Sequence, residues 1–187
     1  VRLNLTTETD VRAAAETVIA NAERARPNAR IDGVIVQPMI TRPRARELIT
    51  GIARDPVFGS VIVFGHGGVA VEIVKDKAIA LPPLDQPRAL DLIARTRISR
   101  LIDGYRNVPA ARRDEVARVL VRLSQLAADI PDILEVDINP LLADDAGVVA
   151  LDARMSIDVA PSPAGYRRHG HFAIRPYPRE WERTLPI

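Results

Sequence analysis

Two acids and an amide stand near the ends of two neighbouring apolar segments late in the chain. In the first segment, residues 135–142, apolar and polar residues alternate, so Asp137 and Asn139 are expected on one face of a strand. A second apolar run, residues 148–151, ends at Asp152. Carboxylate and amide oxygens can hold Mg²⁺, with water and phosphate oxygens completing its shell. The spacing admits two interpretations: a magnesium site formed by Asp137, Asn139 and Asp152, or a strand pair with an acidic rim.

The elements that must position these residues follow from hydrophobic periodicity. Besides the two late runs, strands are predicted at residues 1–5, 33–39, 46–53, 60–65, 69–74 and 77–81. Helices are predicted at residues 7–26, 86–100 and 110–128. Pro140 is expected to end the first late run, and residues 144–147 have turn chemistry. Helices beside a mostly antiparallel sheet predict an α+β fold.

Four stretches, in the same order, resemble the ATP-grasp part of the NDP-forming acyl-CoA synthetases, the relatives of succinyl-CoA synthetase. They are residues 33–39 (GVIVQPM), residues 46–59 (RELITGIARDPVFG), residues 61–72 (VIVFGHGGVAVE), and the pair Asp137-Ile-Asn-Pro with Asp152-Ala-Arg. The resemblance covers residues 1–160 and implies a partial ATP-grasp lobe, with a largely antiparallel sheet flanked by helices and incomplete at its N-terminal side. It also implies an acid–thiol ligase that converts acyl-CoA, ADP and phosphate to acid, CoA and ATP.

The resemblance implies Mg²⁺ and ATP or ADP as cofactors, and it assigns residues to them. Asp137, Asn139 and Asp152 correspond to the metal-binding residues. The residues implied at the nucleotide are Gln37, Pro38, Met39, Gly67, Gly68 and Glu72. Pro38 has no N–H group, so the backbone groups of its two neighbours would read the adenine edge. The alternatives are a buried strand with a proline exit at residues 33–39, and an ion pair between Glu72 and an arginine such as Arg54.

Residues around the central hairpin also have two interpretations each. His66 can be a phosphoryl acceptor or a turn histidine, and the turn is favoured because the family's histidine carriers sit elsewhere. Glu47, Arg54 and Asp55 are expected to hold the hairpin by charge pairing, with a substrate role as the alternative.

Composition narrows the function classes. The 187 residues contain no cysteine, carry a net charge of +2, and include 26 basic residues, nearly all of them arginine. Disulfides and thiolate metal sites are therefore excluded. The basic residues form no concentrated patch interleaved with aromatic residues, so nucleic acid is not expected as a partner. Since no apolar run approaches the ~20 residues of a membrane span, we expect a cytoplasmic protein without a membrane partner.

Residues 161–187 change character, with recurrent prolines and a short apolar stretch, His171-Phe-Ala-Ile-Arg-Pro-Tyr-Pro. We interpret them as a linker or tail toward a GNAT-type acetyltransferase domain; an ordinary tail packing on its own domain is the alternative.

The lysine and glycine-rich loop of the family's other lobe are not found, so weak ATP affinity is expected of this piece alone. Expected partners are a nucleotide and CoA-binding or ligase domains of the same polypeptide or a partner subunit. Self-association into a homo-oligomer is a further expectation. The alternative function is a non-catalytic, regulatory ATP-grasp-like module of such an acetyltransferase.

Overall fold

The computed structural model describes residues 1–68 and 75–158, which belong to two compact units, Val1–Thr41 and Arg42–Ile187. The first unit contains helix α1 (Glu8–Ala25), which begins where the sequence predicts. Thr7 caps it: the Thr7 hydroxyl accepts from the Asp10 N–H, and the Thr7 N–H donates to the Asp10 carboxylate. Hydrogen bonds from the Thr7 side chain and then its backbone hold the pKa of Asp10 below its usual value.

The strands predicted at residues 1–5 and 33–39 are wrong, because neither segment has regular structure. The segment predicted to be buried is exposed, with Ile35 87% and Met39 51% accessible. A strand needs a neighbour to take its backbone N–H and C=O groups, and residues 1–41 form no strand. An apolar run predicts an extended, buried segment, but it does not supply the partner that would bury it.

The second unit is built on a six-stranded antiparallel sheet. Its described strands are β1 (Arg46–Asp55), β2 (Gly59–His66), β3 (Lys77–Ala80), β4 (Ile133–Asp144), β5 (Gly147–Ala150) and β6 (Ala153–Ile157). The order across the sheet is β3-β2-β1-β4-β5, and β6 also pairs with β4. The central hairpin β1–β2 and the late strands are confirmed. The predicted strand at 69–74 lies outside the described residues, and β3 pairs with β2.

Three described helices of this unit follow β3: α2 (Gln86–Ala94), α3 (Ser99–Ile102) and α4 (Arg113–Asp129). The single helix predicted at 86–100 is therefore wrong. Just after the end of α2, the hydroxyl and the backbone N–H of Thr96 both donate to the Ile93 carbonyl oxygen, at 2.7 and 3.1 Å, and close a tighter turn. The Asp76 carboxylate then accepts from the N–H groups of Arg97 and Ile98, at 2.8 and 2.7 Å, and fixes the start of α3.

The core lies on one face of the sheet. Strand residues Leu48, Ile52, Ile62 and Phe64 are at most 1% exposed. They pack with helix residues from α2, α3 and α4, namely Ala89, Leu92, Ile93, Ile102, Val116, Ala117, Leu120, Leu123 and Ala127. Each large apolar side chain buried here contributes about 1.5–3 kcal/mol. Because these helices share one core, the opposite sheet face carries no helix from the described part of the second unit.

Strand β4 is the centre of the sheet and continues through Pro140, so the prediction that this proline ends the run is wrong. Before the proline, β4 pairs with β6; after it, β4 pairs with β5. The β1–β4 register shifts between Leu48 and Thr50, opposite the proline, so its missing N–H falls at a bulge. In the described residues, no helix is long and apolar enough to cross a membrane.

Candidate functional site

The alternation predicted for β4 places its acids on the helix-free face. Val136 is 6% exposed and Ile138 packs against the core, whereas Glu135 is exposed and Asp137 is half-buried. On β1, Gly51 is the partner of Asp137. A Cβ atom at Gly51 would lie 1.8 Å from the Val136 carbonyl oxygen, so a side chain does not fit there. Asp137 therefore stands beside a strand that approaches closely because it has glycine at this point.

Asn139 and Asp152 meet where β4 changes partner. The Asn139 N–H donates to the Asp152 carbonyl oxygen at 3.3 Å, and the Leu151 N–H donates to the Pro140 carbonyl oxygen at 3.1 Å. These two bonds hold the corner between β5 and β6 against the middle of β4. The structure thus brings together the two strand ends from which the sequence predicts a metal site, although the sequence alone could not show this corner.

The glycine turn after β2 joins the same site. The Gly68 N–H donates to the Asn139 side-chain oxygen, Oδ1, at 3.0 Å, across 71 residues of sequence. The Gly67 N–H donates to the Glu47 carbonyl oxygen at 2.8 Å. The amide oxygen of Asn139 has two lone pairs, so one remains available after it accepts from Gly68. One predicted nucleotide residue, Gly68, is therefore hydrogen-bonded to one predicted metal ligand, Asn139, and Gly67 precedes it in the same turn.

Glu47 is a site residue for which the sequence predicts charge pairing instead. Its side chain is exposed, and a Cβ atom built on Gly68 would lie 1.8 Å from its carboxylate oxygen Oε2. Among the described residues, the carboxylate of Glu47 has no ion pair. The alternation along β1 could have predicted this position of Glu47. Because Leu48 lies in the core, its neighbour Glu47 lies on the helix-free face of the sheet.

Arg54 and Asp55 form no ion pair with any described residue either, so the charge pairing predicted to hold the hairpin is not found there, and both bind backbone groups. Arg54 donates to the Pro131 carbonyl oxygen at 2.5 Å. Asp55 accepts from the N–H groups of Val57 and Phe58, at 2.8 and 2.9 Å, and thereby closes the β1–β2 turn. Short turns leave several N–H groups unpaired, and a nearby carboxylate satisfies them better than it satisfies a flexible, solvated arginine.

His66 has the contacts of a turn residue. Its ring nitrogen Nδ1 lies 2.9 Å from the Gly67 carbonyl oxygen, and its backbone N–H donates to the Asp76 carbonyl oxygen. A carbonyl oxygen only accepts, so Nδ1 carries the hydrogen in this contact. The geometry favours the turn interpretation over a phosphoryl acceptor.

The donor set fits a magnesium ion that also binds phosphate. Asp137 and Asp152 are carboxylates, and Asn139 offers an amide oxygen. No group of three or more His, Cys, Asp or Glu in the described residues can hold a metal ion by itself. Two carboxylates and an amide suit Mg²⁺, which usually keeps waters and takes substrate phosphates as further ligands. Within the described part of the chain, the one ion pair at these acids joins Asp152 Oδ2 to Arg154 Nε, at 3.4 Å.

The remaining predicted residues are not part of this group. Gln37, Pro38 and Met39 belong to the first unit, where all three are exposed. Outside helices and strands, no backbone hydrogen bond in the described residues involves Gln37 or Met39. Glu72 lies outside the described residues, as does the segment 161–187 interpreted as a link to an acetyltransferase.

Comparison with known proteins extends these findings. A family model described as "ATP-grasp domain" matches residues 1–157. The beta subunit of acetate–CoA ligase [ADP-forming] I from Pyrococcus furiosus is 36% identical over 155 residues, covering 83% of this chain and 66% of that subunit. Acetate–CoA ligase [ADP-forming] I from Archaeoglobus fulgidus is 38% identical over 155 residues, which cover 83% of this chain and 22% of the ligase. The chain therefore spans less than two thirds of either relative.

Solved structures show the same fold. The dinucleotide forming acetyl-coenzyme A synthetase 1 of Ca. Korarchaeum cryptofilum, with coenzyme A, acetyl-coenzyme A and a phosphorylated phosphohistidine segment, has a TM-score of 0.77 and 33% identity. It matches over 83% of this chain and 69% of that chain. The same enzyme with coenzyme A and Mg-AMPPCP has a TM-score of 0.68 and 28% identity, over 83% and 67% of the two chains. With the family model matching most of its length, this α+β chain belongs to the ATP-grasp domain family.

Proposed function

We propose that the chain is the ATP-grasp part of an ADP-forming acyl-CoA synthetase and contributes residues that bind Mg²⁺ and ADP or ATP. The observation that carries the proposal is the hydrogen-bonded group on the helix-free sheet face, in which Gly68, Asn139 and Asp152 meet. The relatives named above are ADP-forming acetate–CoA ligases, and one related structure contains Mg-AMPPCP. Coenzyme A, also present in that structure, would bind to other domains of the polypeptide or to a partner subunit.

In this proposal each residue has a distinct task. Asp137, Asn139 and Asp152 would hold the metal, and Mg²⁺ would neutralise charge on the phosphate oxygens. The turn at Gly67 and Gly68 lets a phosphate approach the backbone closely, because neither residue has a side chain. Phosphoryl transfer depends mainly on positioning and charge neutralisation, which fixed strands supply better than loops.

Gln37, Pro38, Met39 and Glu72 are proposed at the nucleotide on the strength of the family resemblance. Support for the first three is that the backbone groups of Gln37 and Met39 make no hydrogen bond in the described residues, so they can bind an adenine edge. Glu72 follows the glycine turn by four residues in the sequence. Replacing Gln37 by Ala should change adenine binding little, because the proposed contacts are made by the backbone.

The test is nucleotide binding to the full-length parent, measured by calorimetry with Mg-ADP and Mg-ATP. The variants Asn139→Ala and Asp152→Ala should each weaken binding about 10- to 100-fold, because each loses an oxygen that binds the metal. Asp145→Ala is the matched control, since Asp145 is an exposed acid in the β4–β5 turn. Acyl-CoA-dependent ATP formation should fall with binding. A parent that binds no nucleotide, or variants that bind as well as the control, would contradict the proposal.

A further inference from the structure

Arg154 lies against both acids of the proposed metal site. Arg154 is the direct partner of Asp137 in the antiparallel pair β4–β6, so the two Cβ atoms lie on the same side of the sheet, about 4.5–5.5 Å apart. Its Nε atom is 3.4 Å from the Asp152 carboxylate. Of the ion pairs in the described residues, this is the one that involves Asp137 or Asp152.

This ion pair contributes little to stability. The side chain of Arg154 is 81% exposed and that of Asp152 is 56% exposed. Exposed pairs contribute about 0.2–1 kcal/mol, because water screens the charges and both side chains lose freedom. The contact is also made through Nε, which leaves the two terminal nitrogens of the guanidinium without a partner among the hydrogen bonds of the described residues. The pair therefore does little to hold β6 in place.

The unused nitrogens suit a phosphate. A guanidinium presents its N–H groups as a fork that matches two oxygens of a phosphate group, and such charge-assisted bonds are about twice as strong as neutral ones. The proposed site would bring phosphate oxygens to Asp137 and Asp152 through the metal. Arg154 lies beside those same acids, within reach of a group bound there.

From these observations, and resting on the proposed function, we propose that Arg154 binds a phosphate group of the nucleotide and competes with the metal for Asp152. Without ligands, the guanidinium neutralises Asp152. When the divalent cation binds Asp152, the guanidinium is repelled and its fork becomes available to a phosphate oxygen. Arg154 therefore weakens the binding of the metal alone and strengthens the binding of the metal–nucleotide complex.

Under this proposal, one substitution changes the affinity for the metal alone and the affinity for the metal–nucleotide complex in opposite directions. A purely structural role for Arg154 would change both affinities in the same direction. In the full-length parent, Arg154→Gln should strengthen binding of Mn²⁺ alone about 2- to 5-fold, the equivalent of one exposed ion pair, as measured by electron paramagnetic resonance. The same variant should weaken Mg-ADP binding about 10-fold or more, as measured by calorimetry. Arg154→Lys keeps the charge without the fork, so it should restore the Mn²⁺ affinity and only part of the Mg-ADP affinity. Arg122→Gln, at an exposed position on α4, is the matched control.

Inorganic phosphate with Mg²⁺ is titrated separately to identify the source of the phosphate. A loss seen with ADP and not with phosphate assigns the contact to the nucleotide, as proposed; a loss confined to inorganic phosphate would overturn that assignment. Equal weakening of Mn²⁺ and Mg-ADP binding, or no change in either, would overturn the role of Arg154 while leaving the proposed function intact. A wild-type parent that binds no Mg-ADP would overturn both.

Discussion

The contact between Asn139 and Gly68 ties the glycine turn to the central strand. A single N–H···O bond of 3.0 Å joins two residues that are 71 positions apart. The two glycines of the turn, Gly67 and Gly68, have different reasons to be glycine. Gly68 has a φ of +75°, in the left-handed region, whereas Gly67 packs directly onto the backbone of β1.

The two glycines should respond differently to a methyl group. At Gly67 a Cβ atom would lie 2.4 Å from the carbonyl carbon and oxygen of Leu48, so the β1 backbone must move. At Gly68 it would meet the Glu47 carboxylate, which is flexible and can turn aside. We expect Gly67→Ala to cost about 1–3 kcal/mol from overpacking, and Gly68→Ala about 1 kcal/mol from its backbone conformation together with the displacement of the Glu47 side chain. Urea denaturation of the chain measures both.

A second substitution separates the two causes. Removing the obstructing side chain with Glu47→Ala should relieve the collision at Gly68→Ala, and it should not relieve Gly67→Ala, whose obstacle is backbone. The interaction free energy from each double-mutant cycle reports this difference. Equal interaction free energies in the two cycles would show that the Glu47 side chain does not pack against Gly68.

At the residue scale, the sequence predicts the face on which a strand residue lies better than it predicts side-chain contacts. The face of Asp137 follows from its spacing, because side chains alternate with period two along a strand; the metal-binding role of Asp137, Asn139 and Asp152 stays a prediction. The Gly68–Asn139 bond and the position of Glu47 were not predicted, since they depend on how β1, β2 and β4 align in space. The sequence predicts charge pairs for Arg54 and Asp55, whereas in the structure nearby backbone groups bind both side chains.

At the scale of elements, predictions succeeded where the local sequence also supplies the partner. The β1–β2 hairpin has both strands and its turn within residues 46–66, and the late strands have theirs within 133–157. The helix α4 shows a clear apolar face, with Val116, Leu120 and Leu123 in the core. The segment 33–39 has the composition of a buried strand but no partner within its unit, and it is exposed.

Asp76 shows how one buried carboxylate can set the boundary of an element. It is 8% exposed, and its two oxygens accept from the N–H groups of Arg97 and Ile98 at the start of α3. We expect Asp76→Ala to destabilise the chain by about 2–4 kcal/mol, because two N–H groups lose their acceptors. Asp76→Asn, which keeps one acceptor oxygen, should cost less. Thermal or urea unfolding measures this order, with Asp91→Ala as the exposed control on α2. If Asp91→Ala lowered the free energy of unfolding as much as Asp76→Ala, the proposed role of the Asp76 carboxylate would be contradicted.

At the scale of the whole molecule, the core residues of the second unit and the residues proposed to bind ligands lie on opposite faces of the sheet. Its helices bury one face of the sheet, and the other face presents Glu47, Asp137 and Asn139. Substitutions on the polar face can therefore alter ligand binding without removing core contacts. This arrangement makes the ligand-binding variants proposed above interpretable, since their expected cost in folding is small.

The two units should differ in local stability. In the first unit, no residue of α1 is fully buried, and an 18-residue helix that gains so little from packing is marginal in water. In the second unit, β1, β2 and β4 contain residues that are fully buried, such as Leu48, Ile62 and Ala143. Amide hydrogen exchange of the 187-residue chain should therefore show protection in α1 of about 1–2 kcal/mol or less, and protection in β1 and β4 that approaches the free energy of global unfolding.

The capping variant Thr7→Ala serves as the internal control for this experiment. It removes the hydroxyl that accepts from the Asp10 N–H, so it should lower protection within α1 further and leave β1 and β4 unchanged. If Thr7→Ala also lowered protection in the strands, the two units would unfold as one. Protection of α1 equal to that of β4 in the unmodified chain would lead to the same conclusion, because an unburied helix can reach global protection only by unfolding together with a buried core.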